Sequence, residues 1–372
     1  MKTKKRKRRV MWIVLVIIAA VLVFAGAKTW VAAGRLPRGE RLERVKASPH
    51  YKDGHFQNTV ETTTMTGDKS FVKSMWDFLF GKNKYATPKE ALPTVKTDIR
   101  NIDRKEELVL WMGHSTVFIQ HEGKRYLFDP VLELGFPSNL MMTAYKGTKI
   151  YTSDDIPEID YLLITHDHWD HLDHKTIKKL KDRVKNVVCA LGIGENFEYW
   201  GYDKAIIHDM DWNDSLKVDD HTTIYALESR HFSGRLFGSA KAFWCSYMIA
   251  GQKHFFVTGD GGYSDRFYDI AKRFPVIDLA IMENGQYSED WNQIHTMPEQ
   301  LGKEIEILNP KKVMTYHNSK FTLANHAWYE PMELIYNKAK EKGYPLLTPK
   351  IGEKVCLDRQ QSFAKWWKTE KE

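Results

Sequence analysis

The stretch ITHDHWDHLDH, residues 164–174, places four histidines and three aspartates in the nine positions after Thr165. The short apolar run Asp160–Ile164 before it reads as a buried strand. From Asp173 the pattern turns helical: Asp173 suits an N-cap, and Ile177, Leu180 and Val184 recur at helical spacing over a basic face. The cluster therefore fills a loop where a strand hands over to a helix. In extended backbone alternate side chains share a side. His166 and His168 can thus point one way while Asp167 points elsewhere, and Asp170 and His171 follow once the chain has turned. Imidazole and carboxylate are ordinary donors for zinc and similar divalent ions. The alternative is a histidine-rich surface loop, and partners elsewhere in the chain decide between the two.

Three distant strand ends offer such partners. TIYALE leads into Ser229-Arg230-His231, HFFVT into Gly259-Asp260-Gly261-Gly262, and KVMT into Tyr316-His317-Asn318. A single histidine after a strand is usually structural, but three such ends beside a dense donor loop form a set. The candidates are His166, His168, His231, Asp170, His171, His317 and Asp260. Seven donors exceed one tetrahedral ion and suit two ions sharing a bridge. His166, His168 and His231 would hold one ion, and Asp170, His171 and His317 the other. Asp260, with two oxygens, would bridge them.

The rest of the body reads as α/β. Strands are expected at Leu108–Met112, Thr116–Gln120, Arg125–Phe128, Val187–Ala190, Thr223–Leu227, Phe243–Ile249, His254–Thr258, Asp278–Met282 and Lys312–Thr315. A helix is expected at Pro298–Leu308, with proline in its first turn. Sheets sandwiched between helices bury both faces of such strands. Cys189, Cys245 and Cys356 sit in apolar, strand-like runs and read as core residues rather than disulfide partners.

The formal net charge is +7, but residues 1–9 (MKTKKRKRR) carry seven basic side chains and no acid. The remaining body is neutral and lacks the footprint of a nucleic-acid binder. Residues 10–27 carry no charge; as a helix they span about 27 Å, close to a hydrocarbon core. The expected organisation is a basic cytoplasmic segment (1–9), a transmembrane signal anchor (10–27), an extension packing on the core (28–105), a main domain outside the cytoplasm (106–358) and a tail (359–372). Cleavage after Ala25-Gly26-Ala27, giving a secreted form, is the alternative. Residues 71–81 (FVKSMWDFLFG) read as a short helix docked on the body or touching lipid. The C-terminal FAKWWKTEKE poses the same choice between docking and lipid contact and reads as a packing segment or a frayed end.

Taken with WMGHSTVFI (111–119), LFDPVL (127–132), LLITHDHWDHLD (162–173), FVTGDGGY (256–263), VIDLAI (276–281), IHTMPEQ (294–300) and HNSKFTLANHAWYEP (317–331), the donor pattern resembles the metallo-β-lactamase superfamily. More narrowly it is similar to N-acyl-phosphatidylethanolamine-hydrolysing phospholipase D and its bacterial relatives. The resemblance implies an αββα sandwich, two zinc ions on the seven donors, and hydrolysis of a phosphodiester in a phospholipid. Asp170 would hold metal and orient the nucleophile. His295 would line the active site and bind phosphate or assist the leaving group. His114 and Asp129, near strand ends, would fix the tautomers of the donors. Asn318-Ser319-Lys320 stands where the animal phospholipase has Trp-Gly-Thr, and residues 282–287 also depart from the pattern. The substrate is therefore open to a competing reading, a lactonase or small phosphoester hydrolase of the same superfamily. Di-iron proteins of this fold resemble a variant motif with a carboxylate where His168 stands. A non-catalytic, membrane-tethered metal-binding protein would be expected to have lost donors. His174 and His326 read as exposed or helix-capping, while His50, His55, His121, His208, His221 and His254 have no metal-site context.

Overall fold

The computed structural model describes residues 2–67, 73, 81, 83–236 and 238–367. Of the expected helix at residues 71–81, all but Lys73 and Gly81 lies outside the described residues, as does the end of the tail, residues 368–372.

Two seven-stranded sheets share a core. The first runs, in spatial order, Lys354–Cys356, Leu108–Trp111, Val117–His121, Lys124–Phe128, Ile159–Ile164, Val184–Ala190 and Ile207–Met210. The second runs Leu346–Leu347, Val313–Tyr316, Leu279–Glu283, His254–Val257, Ser246–Ala250, Thr223–Leu227 and Ser215–Lys217. Strand periodicity divides the packing. Phe255, Val257, Leu279 and Ile281 enter the core between the sheets. Their neighbours Phe256, Ala280 and Met282 pack instead with Phe267, Ile270, Leu301 and Ile305 of the helices Arg266–Arg273 and Pro298–Leu308.

Strand direction then sets the place of the chemistry. Each sheet is antiparallel in one half and parallel in the other. Following the pairings, Leu108–Trp111, Lys124–Phe128 and Ile159–Ile164 run the same way in the first sheet. Thr223–Leu227, His254–Val257, Leu279–Glu283 and Val313–Tyr316 do so in the second. Every expected donor follows the carboxyl end of one of these strands, where open α/β sheets form their crevices.

Several boundaries differ from the sequence expectation. The helix after the histidine loop ends at Leu180, and Val184 opens a strand instead of extending it. Val184 pairs with Ile159, so the ladder takes a residue that also fits the helical period. Asp173 caps the helix as expected, accepting from the Thr176 N–H. The strand expected from Phe243 begins at Ser246. The N–H groups of Phe243 and Cys245 donate across to Leu191 O and Thr165 O, outside their own sheet. Cys356 is half-buried on an edge strand rather than in the core. The stretch 28–105 contains a helix, Gly39–Ala47, whose buried Arg41 binds Glu195, Glu198 and Asp209 at 2.8–3.0 Å. In the tail, Trp366 and Trp367 are buried.

The N-terminal helix runs Lys2–Ala33, longer than the uncharged stretch at both ends. Its most apolar 18-residue window has a mean hydropathy of 2.9, so by length and composition the helix can cross a membrane. From Lys4 to Val31 its side chains are exposed, apart from the half-buried Ala25 and Thr29; Ala32 and Ala33 are buried against the body.

Candidate metal centre

The strand ends bring all seven expected donors together, and three residues there hold positive φ: His114 at 52°, Asp129 at 40° and His317 at 67°. A non-glycine residue pays of order 1 kcal/mol or more for that backbone, a cost typical of functional sites.

His166 Nε2 lies 2.9 Å from His168 Nδ1, and His231 Nε2 lies 3.2 Å from that same nitrogen. Across the centre, His171 Nε2 and His317 Nε2 are 3.2 Å apart, and Asp170 Oδ2 is 3.7 and 3.4 Å from them respectively. Donors about 2.0–2.1 Å from one tetrahedral ion stand roughly 3.3 Å from each other, so each triad has the dimensions of a coordination face. Asp260 Oδ2 is 3.2 Å from His171 Nε2 and 3.1 Å from His317 Nε2. It is 3.9 Å from His166 Nε2 and 4.0 Å from His231 Nε2. Asp260 Oδ1 is buried without a partner among the described residues.

The donors are oriented from behind. Asp129 Oδ2 accepts from His171 Nδ1 at 2.9 Å, and the same carboxylate takes the Thr165 hydroxyl and N–H. His231 Nδ1 donates to Ile294 O at 2.7 Å. His114 Nε2 meets Asp170 Oδ2 at 2.8 Å. Glu283 was missed by the sequence reading. It is buried at the end of Leu279–Glu283, bonded to His295 Nδ1 and 3.5 Å from His317 Nδ1. An acid closing an apolar strand is the same signal that singled out Asp260. Asn58, from the N-terminal extension, clamps the His231 backbone in both directions.

Burial, reinforced by neighbouring imidazoles, pushes His166 and His231 well below the usual histidine range; His168 is lowered by burial as well. Neutral imidazoles keep their lone pairs free for a cation. In the other triad burial opposes charge, but the carboxylates prevail. Asp260 and Asp170 hold His171 well above its ordinary value and His317 up to about 10. Those imidazolium charges hold both aspartates low despite their burial. The centre thus calls for positive charge where the two triads meet, and divalent cations fit it.

The centre opens into a cavity of about 390 Å³. His168, Asp170, Asp260, His295 and His317 form its polar end; Met65, Phe232, Trp291, Ile294 and Leu323 line the rest together with Thr64 and Gln286, the latter from the departing stretch 282–287. The departing residues Asn318, Ser319 and Lys320 are buried and do not line it. Lys320 Nζ donates to Val131 O at 3.0 Å and to Met112 O at 3.3 Å, bracing the turns that carry Asp129 and His114. His174 is the first residue of its helix, half-buried against Trp200. His326 is neither exposed nor a helix cap: its Nε2 accepts from Gln286 N at 2.8 Å.

Residues 124–318 match the family described as the Beta-lactamase superfamily domain, just over half of the chain. An uncharacterised protein of Mycobacterium tuberculosis is 28% identical over 327 residues, covering 86% of this chain and 88% of its own length. The mitochondrial N-acyl-phosphatidylethanolamine-hydrolyzing phospholipase D of Saccharomyces cerevisiae is 28% identical over 67% of this chain, which spans only 55% of the yeast protein. A metallo-hydrolase of Ignicoccus hospitalis superposes with a TM-score of 0.52 at 18% identity, covering 68% of this chain and 99% of that one. CmlA, a diiron β-hydroxylase of Streptomyces venezuelae, also gives 0.52 at 19% identity, over 68% of this chain and 54% of that one. Likeness at such identities speaks for the fold alone.

Proposed function

The chain belongs to the metallo-β-lactamase superfamily as a metal-dependent hydrolase, and from that premise we propose that it uses two zinc ions to cleave a phosphodiester in a phospholipid. The observation that carries the dinuclear reading is Asp260 Oδ2, which lies within 3.1–4.0 Å of imidazole nitrogens from both triads. His166, His168 and His231 would hold one ion, Asp170, His171 and His317 the other, with Asp260 between them. Bound there, a pair of divalent ions supplies Lewis acidity and makes hydroxide available from water near pH 7.

The chain's own groups set the geometry. Asp170 lines the cavity, so its carboxylate is placed to orient a water as well as to hold an ion. His295 lines it too, with Nδ1 tied to Glu283. When the ring is protonated on both nitrogens, Nδ1–H stays on Glu283 and Nε2–H can be shared with a phosphate oxygen or passed to the leaving group. Met65, Phe232 and Ile294 offer an apolar wall to an acyl chain. The yeast relative supports a phospholipid substrate. His168 favours zinc over the carboxylate-bearing di-iron variant.

We assign 10–27 to a membrane anchor, with 1–9 cytoplasmic. Residues 28–105 are the extension, 106–358 the hydrolase domain on the opposite side, and 359–372 the tail. N-terminal sequencing of the purified protein separates this from a cleaved, secreted form.

The activity test sets N-acyl-phosphatidylethanolamine beside small phosphodiesters and lactones, with and without chelator, and includes Asp260→Ala. Chelator-sensitive cleavage of the lipid phosphodiester, lost in the variant, is expected. Turnover of lactones alone would end the phospholipase reading, and full turnover by metal-stripped protein would end the metal reading.

A further inference from the structure

A groove of about 520 Å³ separates the last turns of the N-terminal helix from the helix His174–Leu180. One wall is a single helical face: Phe24, Ala27, Lys28 and Val31 follow the i, i+3, i+4, i+7 spacing. The other wall carries Phe136, Lys175, Lys178 and Lys179. The groove is apolar within and basic at its rim.

The basic rim is poorly neutralised. Glu133 pairs with Lys179 at 3.0 Å and lies 3.7 Å from Lys175. Among the described residues Lys28 and Lys178 have no carboxylate partner; Lys28 Nζ sits 4.6 Å over the Phe24 ring. The level of this rim is set by the sequence. The uncharged run ends at Ala27 and Lys28 is the first charge after it, the position that reaches headgroup depth on a spanning helix.

The helix end is also fixed to the body. Arg235 donates to Ala32 O, Asp167 O and Leu172 O, and its guanidinium lies 3.9 Å over the Trp169 ring. Trp200 Nε1 donates to Val31 O at 2.8 Å. Lys175 and Lys178 are thereby held beside Lys28. Just beyond Phe136, Leu140 and Met141 are 73% and 52% exposed, an apolar pair suited to a lipid layer.

We propose that this groove holds one anionic phospholipid. Its acyl chain lies against Phe24, Ala27 and Phe136, and its phosphate sits among Lys28, Lys175 and Lys178. The inference rests on reading residues 10–27 as an anchor. Inorganic phosphate would leave the apolar wall without a role. A zwitterionic lipid carries a cation beside its phosphate, which the lysines repel. The groove shares no lining residue with the metal cavity, so the lipid it takes is retained rather than cleaved.

The test uses the full chain in nanodiscs of phosphatidylcholine, with and without phosphatidylglycerol. After detergent extraction, native mass spectrometry counts the retained lipid. The wild type is expected to keep phosphatidylglycerol in preference to phosphatidylcholine. Lys28→Gln/Lys175→Gln/Lys178→Gln should lose that preference by about 100-fold, at roughly fivefold for each lysine near a membrane surface. The corresponding triple arginine variant should keep it, and Lys342→Gln should change nothing. Equal retention of both lipids, an unchanged preference in the glutamine variant, or displacement of the lipid by inorganic phosphate would overturn the proposal. Chain retained in both discs without lipid preference sinks this inference alone. Chain lost from both discs sinks the anchor as well.

Discussion

Asp129 never reaches the cavity, yet both of its oxygens are engaged: Oδ1 by the Thr165 N–H at 2.8 Å, Oδ2 by the Thr165 hydroxyl and by His171 Nδ1. It is fully buried, so its role is to fix the ring that presents Nε2 to the centre. Asp129→Asn should weaken metal binding by about 10–100-fold, read by competition with a chromophoric chelator. Unchanged affinity would remove Asp129 from the site. Lys320 is a second buried residue with a measurable signature. Burial lowers its ammonium from 10.5 to about 7. Between those values the unfolded chain binds more protons than the native one, so this residue makes stability rise with pH across that window. Below about pH 7 both states are charged and its penalty is constant. The urea midpoint of the wild type, relative to Lys320→Met, should therefore climb from pH 7 to pH 10; a flat difference would contradict it. At this scale the sequence picked out the side chains that converge, whose types are diagnostic, better than the groups behind them. Lys320 is a common residue type whose meaning comes only from burial, and Glu283, though it closes an apolar strand, shows its partners only in the fold.

Among elements, the histidine loop and the N-terminal helix turn out to be joined. Arg235 binds carbonyls at Asp167 and Leu172, inside the loop, and at Ala32, in the last turn of the helix. That turn has carbonyls with no helical partner, and a half-buried cation satisfies one of them. Arg235→Ala should cost about 3 kcal/mol, since hydrogen bonds to a charged group contribute roughly 1.5–3 kcal/mol. Thermal melting reads the loss, and hydrogen exchange should quicken at residues 30–35 and 167–172. An unchanged melting temperature would mean that the helix docks without it. Elements with strong local periodicity were legible: Pro298–Leu308 and Thr223–Leu227 match their expected bounds. Val184 and Phe243–Cys245 were not, because a sheet ladder and cross-sheet hydrogen bonds decide them, and neither is a local property. The helix Gly39–Ala47 escaped notice because its buried face is held by Arg41, a charge.

For the molecule as a whole, the two sheets, each partly parallel, send seven donors from distant parts of the chain to one edge. The motif implied that convergence, and strand order supplies its cause. The neutral body and the basic, apolar N-terminus also read directly from the sequence, whereas the docking of the helix on the donor loop required the fold. Seven side chains are proposed to hold two divalent ions on either side of Asp260. Diffraction from metal-loaded crystals at the zinc absorption edge tests this most directly. Two anomalous peaks flanking Asp260 Oδ2 are expected, one against His166, His168 and His231, the other against Asp170, His171 and His317, both lost or weakened in Asp260→Ala. A single peak, or peaks away from these residues, would contradict it.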